Sequence, residues 1–282
     1  TGKRRAGAEI LSLRALDAFD RFFNDLYDAC DEMGIPAEAA ISEGGLGQFE
    51  VNLEHVPDAL KAADDAWLFK MLVRGIARNH GMAASFMAKP YEDYAGNGLH
   101  THFSVLDAAG NNVFANDTYE GTQMLAHGIA GCLAGMHDLA LIFAPHDNSY
   151  DRLVPGQHAP TSICWAYDNR TASVRVPGGS FKARRIEHPY LFLAAVLGSA
   201  LVGIEDKLTP PAPITGSAYE QKLPQLPTTW ADAIEAFDQS TLARRIFDPQ
   251  LVENLLRTKR QEMKYFAELS PEEQLDLYLD TV

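Results

Sequence analysis

The segment Glu43-Gly-Gly-Leu-Gly-Gln-Phe-Glu50 sets two carboxylates either side of a glycine-rich bend. Gly44, Gly45 and Gly47 permit a tight chain path that can bring both acids to one point. Oxygen donors of this kind suit hard dications such as Mg²⁺ and Mn²⁺. Taken alone, the same residues also fit a surface loop with solvated acids, where most carboxylates lie. Further on, His100-Thr-His102-Phe-Ser104 alternates, so in a strand both imidazoles and the hydroxyl share one face. That face offers a metal ligand beside a nucleotide contact, although a hydrogen-bonded strand histidine satisfies the pattern equally well. Ala95-Gly96-Asn97-Gly98, just ahead, is a loop where backbone can approach a ligand closely.

Arg170 and Arg175 flank a turn and strand, and Lys182, Arg184 and Arg185 come just before Glu187, with Arg152 upstream. Planar guanidinium donors match phosphate oxygens two at a time. The alternative is a solvated basic face, with Glu187 a salt-bridge partner rather than a metal carboxylate. His55, His80, His127 and His137 read as structural. The formal net charge is −14, from 24 Lys and Arg against 38 Asp and Glu. A nucleic-acid binder needs a dense basic surface, so that class is excluded, and an anionic substrate must be held by local positive charge.

The elements that must position these groups follow from pattern. Ser12 caps a helix with Leu16, Phe19, Phe23, Leu26, Tyr27 and Cys30 on one stripe and Gly34 as its stop. A second helix starts after Pro57 and runs to His80-Gly81, and a third spans Gly121 to Leu141. Strands are predicted at 40–42, 48–53, 82–88, 99–106 and 112–114, with hairpin chemistry at Ala109-Gly110-Asn111. Thr161–Tyr167 and Ala172–Val176 read as an antiparallel pair. Thr209–Pro227 is proline-rich and irregular, and the last helix follows Ser270-Pro271. Hairpins interspersed with helices give an α+β fold class. The 282 residues carry three well-separated cysteines, Cys30, Cys132 and Cys164, which fit inert thiols in a reducing compartment. The apolar run Leu191–Ile204 is shorter than a membrane span and reads as a buried helix. A cytoplasmic protein without a membrane partner is the expectation.

The order of these motifs is specific. Glu-x6-Glu, a Lys-Pro ahead of Gly-x-Gly-x-His-x-His-x-Ser, Asn-Ser-Tyr-x-Arg-Leu-x-Pro-Gly, Asn-Arg-x4-Arg-x-Pro and Arg-x-Glu succeed one another across 43–187. In this the chain resembles the glutamine synthetase family, and most closely its γ-glutamylpolyamine (γ-glutamylputrescine) synthetase branch. The resemblance implies one catalytic domain over 1–282, with an antiparallel curved sheet backed by helices. It implies two or more Mg²⁺ or Mn²⁺ ions, with Glu43 and Glu50 as ligands of the first and His100 and Glu187 as ligands of the second. Arg152 and Gly96 match glutamate-binding positions. His102, Ser104, Arg170, Arg175, Lys182 and Arg185 match positions around ATP, the co-substrate. Arg152, Arg170 and His158 are the expected catalytic residues. The whole protein is expected to form a homo-oligomeric ring, hexamer or dodecamer, with shared sites.

Three departures shift the reading. Thr1-Gly2-Lys3 leads straight into the first helix, so the family's N-terminal domain and a strand with two further metal glutamates fall outside this sequence. Glu187-His188 runs directly into Pro189-Tyr190, where the family carries a short segment that begins with arginine, which implies missing residues there. Glutamine synthetases have asparagine at the Ala95 position and a flap glutamate at the His158 position. Loss of that anion weakens selection for ammonium and changes the space open to a larger amine. The implied reaction joins glutamate to a polyamine or monoamine, with ammonium as the alternative substrate and an inactive structural or regulatory relative as the rival from another class.

Overall fold

The computed structural model describes residues 9–156, 159–176, 181–184 and 189–282, the stretch 181–184 by its backbone alone. The chain divides into two compact units, one comprising Thr1–Asn97 and Leu275–Val282, the other Gly98–Gln274.

In the first unit, Ser12 caps a short helix α1 (Leu13–Asp17) by accepting from the Ala15 amide at 3.2 Å. The chain then bends through Ala18 and Phe19 into α2 (Asp20–Met33), so the single predicted helix is two. Gly34 ends α2 at φ 66, a backbone angle that costs glycine nothing, and the Ile35 amide returns to Cys30 O. Phe23, Leu26 and Cys30 recur at helical spacing and bury against the hairpin of β1 (Ala37–Ser42) and β2 (Phe49–Leu53). Helix α3 (Ala59–Asn79) completes the unit, capped by Asp58, which accepts from Leu60 and Lys61 amides. The predicted strand at 82–88 does not form. Its amides are taken elsewhere: Met82 N closes α3 on Ala77 O, and Phe86 N donates to Val282 O.

The second unit is built on β3 (His100–Phe103), α4 (Gln123–Asp138), α5 (Ala140–Phe143), α6 (Asp147–Arg152), β4 (Trp165–Tyr167), β5 (Val174–Val176), β6 (Phe181–Arg184) and α7 (Pro189–Glu205). Helices α8 (Trp230–Gln239), α9 (Thr241–Ile246) and α10 (Pro249–Phe266) follow, and α11 (Pro271–Thr281) closes the chain. Helix α7 is the predicted apolar run. It is hydrophobic around its circumference and so lies in the core, with Phe192, Val196 and Ala200 buried among Ile129, Leu133 and Met136 of α4. The two helices approach through Gly131 and Gly203: a Cβ on Gly131 would stand 2.8 Å from Gly203 Cα. The predicted helix over 121–141 stops at Asp138, where Leu139 starts the separate turn α5.

The sheet of this unit has the order β3-β6-β5-β4 and is mixed rather than antiparallel. Strands β3–β6 and β6–β5 pair antiparallel, but β4 and β5 pair in parallel, with Trp165 opposite Val174 and Tyr167 opposite Val176. This corrects the antiparallel pairing expected for 161–167 with 172–176, so the expected antiparallel sheet is antiparallel only in part. The two sheets, of two and four strands, are small. The physical reason lies in the proline-rich segment. Ile163 N donates to Pro224 O, Leu226 N to Thr161 O and Ile214 N to Trp165 O, so this strap takes the backbone positions that a hairpin partner would have used. The 112–114 strand shrinks to a bridge between Leu106 and Asn112, around a turn in which Asp107 N donates to Asn111 O.

Candidate active site

In the first unit the β1–β2 ladder settles where the two hairpin acids point. Ile41 pairs with Glu50 and Ser42 with Phe49, and Glu43 N donates to Gln48 O at 2.9 Å as the ladder's next rung. Residues opposite one another share a face, as do residues two apart. Ile41, Glu43, Gln48 and Glu50 therefore lie on one face, with the acids as diagonal neighbours, typically about 7–8 Å apart at their Cα atoms. Gly47, at φ 62, makes the turn that returns the chain. Both carboxylates are half-buried. An all-oxygen pair at that spacing fits a hard dication, with water and further ligands filling its shell. Among the described residues no group of three or more His, Cys, Asp or Glu side chains converges.

The hairpin is fastened to the Ala95–Asn97 stretch of the same unit. Gln48 Nε2 donates to Gly96 O at 3.1 Å and to Asn97 Oδ1 at 2.8 Å, while its Oε1 accepts from Gly45 N at 2.7 Å. Asn97 is itself tied to Met87 O and Ala88 O. Lys89, buried, donates from Nζ to Tyr94 O at 2.6 Å and so braces the same loop. A Cβ placed on Gly44 would rest 3.6 Å from that of Ala95.

In the second unit His100, His102 and Ser104 alternate on and just after β3, as the sequence pattern requires. The register places His102 opposite Lys182, and Lys182 opposite Arg175, so positions 102, 182 and 175 form one row across three strands. Arg175 is half-buried and Arg170 exposed. Burial, and then the charge of Arg170, pull the Arg175 guanidinium below the usual arginine range, only partly offset by Asp168. An anion beside Arg175 would offset that repulsion. The turn presenting Arg170 is held by side chains that sequence reasoning did not single out. Tyr119 donates to Asp168 Oδ2 at 3.0 Å, Asn169 Nδ2 to Gly216 O at 2.7 Å, and Ala218 N to Thr171 Oγ1 at 2.9 Å.

Arg152 ends α6 and is only 8% exposed. Gly98 makes room for it: a Cβ there would lie 2.6 Å from Arg152 Nη2. Helix α6 is fixed from both ends. Tyr150, buried, donates to Ala144 O at 2.9 Å, and His146 Nδ1 lies 2.9 Å from Glu262 Oε1 on α10. Glu262 also meets Lys259 Nζ at 2.8 Å. His158, Arg185 and Glu187 lie outside the described residues, as does the suspected gap after His188, and of Lys182 only the backbone is described. Of the histidines read as structural, His127 and His80 have such partners. His127 Nδ1 lies 2.6 Å from Leu208 O, and His80 Nε2 2.7 Å from Asp25 Oδ2. All three cysteines are free and buried, and burial pushes the Cys132 thiol up to about 12, which keeps it unreactive. Among the described residues no helix is long and apolar enough to cross a membrane.

Comparison with known proteins gives the arrangement its context. The model of the glutamine synthetase catalytic domain matches residues 1–278. The chain is 33% identical over 287 residues to the γ-glutamylputrescine synthetase PuuA of Escherichia coli K12, covering 99% of this chain and 61% of that protein. It is 38% identical over 265 residues to a glutamate–isopropylamine ligase of a Pseudomonas species, covering 89% of this chain and 57% of that protein. A solved GmaS–ADP complex superposes with a TM-score of 0.87 at 29% identity, over 97% of this chain and 67% of the other. The chain thus spans about three fifths of the length of the curated relatives it matches. With a family match that runs from its first residue almost to its last, this chain belongs to the glutamine synthetase catalytic-domain family.

Proposed function

We propose that the protein containing this chain is an ATP-dependent ligase that joins the γ-carboxylate of glutamate to a primary amine, a polyamine or a monoamine. A carboxylate is a poor electrophile, so the γ-carboxylate oxygen first attacks the γ-phosphorus of ATP and ADP leaves. The amine nitrogen then attacks the acyl carbon of γ-glutamyl phosphate, loses a proton, and phosphate departs with its bridging oxygen. Arg152 and the Gly96 backbone hold glutamate. Arg170, Arg175, Lys182 and Arg185 neutralise the phosphates, with His102 and Ser104 at the nucleotide. His158 takes the proton of the incoming amine. Glu43 and Glu50 would hold one Mg²⁺ or Mn²⁺, His100 and Glu187 a second. Such ions supply charge neutralisation at the transferring phosphoryl group.

The observation that carries this reading is the placement of Glu43 and Glu50 on one hairpin face tied to the Gly96 loop. The likeness to two amine ligases, one named for putrescine and one for isopropylamine, supports an amine rather than ammonium as acceptor. Ala95 and His158, in place of the asparagine and the acid of ammonium users, support it from the sequence. By the same family likeness the whole protein assembles as a homo-oligomeric ring and works in the cytoplasm. The test is glutamate-dependent phosphate release by the full-length protein with ammonium, putrescine, spermidine, isopropylamine and ethanolamine. A primary amine should exceed ammonium in kcat/KM by at least about tenfold, equivalent to roughly 1.4 kcal/mol of transition-state discrimination. Preference for ammonium would make the protein a glutamine synthetase. Turnover of no acceptor, despite binding of Mn²⁺ and ATP, would make it a regulatory relative.

A further inference from the structure

We infer that Gln48, which no part of the ligase reading above employs, is a positioning residue that fixes the glutamate-binding backbone at Gly96 to the acidic hairpin. The inference rests on that reading for the identity of the ligand, and on the geometry alone for the bridge.

One carboxamide here connects two segments nearly fifty residues apart in sequence, and its orientation is determined by its partners. Gly45 N can only donate, so the atom 2.7 Å from it is the Gln48 oxygen. Gly96 O can only accept, so the atom 3.1 Å from it is the nitrogen. The second Nε2 proton goes to Asn97 Oδ1 at 2.8 Å, and Asn97 is oriented in turn by its own donation to Met87 O at 2.7 Å. The chain of bonds therefore runs Gly45 to Gln48 to Gly96 and Asn97 to Met87, each polar atom with a defined role. No flipped amide reproduces it.

The consequence for binding follows from the carbonyl. A backbone oxygen has two lone pairs, and Gln48 occupies one at Gly96. The peptide plane is thereby held with its second lone pair in a fixed direction, available to an ammonium group such as that of an α-amino acid. Gln48 sits between Glu43 and Glu50 on their shared face, so any dication on the two acids and any amino acid on the Gly96 carbonyl are set in one frame. A residue that could not donate at this position would leave the Gly96–Asn97 peptide held only through its Asn97 N–H bond to Ala88 O, with no link from its carbonyl to the acidic hairpin. A side chain on Gly45 would displace the Gln48 carboxamide, because a Cβ would lie 2.7 Å from Gln48 Oε1. That ties the glycine of the motif to the glutamine rather than to the turn.

The test compares Gln48→Leu, Asn97→Leu and the double variant with the unaltered full-length protein. Readouts are the KM for glutamate, the KM for ATP, kcat, and amide hydrogen exchange at Gly45 and Asn97. The bridge predicts that Gln48→Leu raises the glutamate KM about tenfold, as expected for losing one to two hydrogen bonds, with the ATP KM within about twofold. Exchange at Gly45 and Asn97 should accelerate together. Both single variants break the same chain, so the double variant should add little to either. Equal shifts in the glutamate and ATP KM values would reduce Gln48 to a folding role and overturn the proposal. So would unchanged exchange at Gly45 and Asn97, a readout that needs no turnover. If the unaltered protein turns over no glutamate but shows slow exchange lost in Gln48→Leu, the ligase reading fails while the bridge itself stands, without a glutamate-positioning role.

Discussion

Arg152 and Gly98 show how little space separates a competent arginine from a displaced one. The guanidinium is buried at the end of α6, and the glycine opposite admits no Cβ without a clash at 2.6 Å. Gly98→Ala should therefore push Arg152 aside and raise the glutamate KM by about ten- to a hundredfold, since a 1 Å misplacement of a positioning group can cost two orders of magnitude. Steady-state kinetics at saturating ATP would measure it, and an unchanged glutamate KM would remove Arg152 from the glutamate site. At this scale the sequence was informative where chemistry and spacing coincide. Glu43 and Glu50 could be paired because glycines lay between them, and the alternation of His100, His102 and Ser104 gave their face. The roles of Gln48, Asn97, Tyr119 and Asp168 went unread because they depend on partners 48 or 49 residues away, for which a local pattern carries no signal.

Elements were legible in proportion to how far their stability is local. Helix α7, apolar all round, and α3, with its Asp58 cap, carry their own evidence. The pairing of β4 with β5 does not, because the proline-rich strap claims the backbone of 161–165 through bonds that span roughly fifty to sixty-five residues. The 82–88 stretch has strand composition, but its amides are taken up by a helix end and by Val282. The placement of α6 is another long-range matter, since His146 at its N-cap reaches Glu262 on α10. Burial pushes the Glu262 carboxyl up, but hydrogen bonds and charge from His146 and Lys259 outweigh it and hold the group below the ordinary glutamate value of 4.5. A carboxyl depressed in the folded state contributes stability above its unfolded value and loses it as pH falls through the folded one. Glu262→Gln should therefore lower the Tm at neutral pH, with a shallower loss of Tm on acidification below pH 4.5 than in the parent. Melting curves from pH 7 downward would show it, and parallel Tm–pH profiles would contradict it.

At the scale of the whole molecule, a chain of net charge −14 belongs to a family that handles ATP and glutamate, both anions. The resolution of that tension is local. Arg152, Arg170 and Arg175 all belong to the second unit, where burial and the charge of Arg170 pull the Arg175 guanidinium below the usual arginine range. Net charge argues against a nucleic-acid partner and motif order pointed to the family, while the proposal of an amine acceptor leans on Ala95 and His158. The central claim is that glutamate is activated as an acyl phosphate, and oxygen transfer tests it most directly. Glutamate labelled with ¹⁸O in its γ-carboxylate should be given to the full-length protein with ATP, Mg²⁺ and the amine that supports turnover. The released phosphate should carry one ¹⁸O per γ-glutamyl amide formed. Amide formation with unlabelled phosphate would mean that the carboxylate oxygen never reached phosphorus, and would contradict the ligase mechanism.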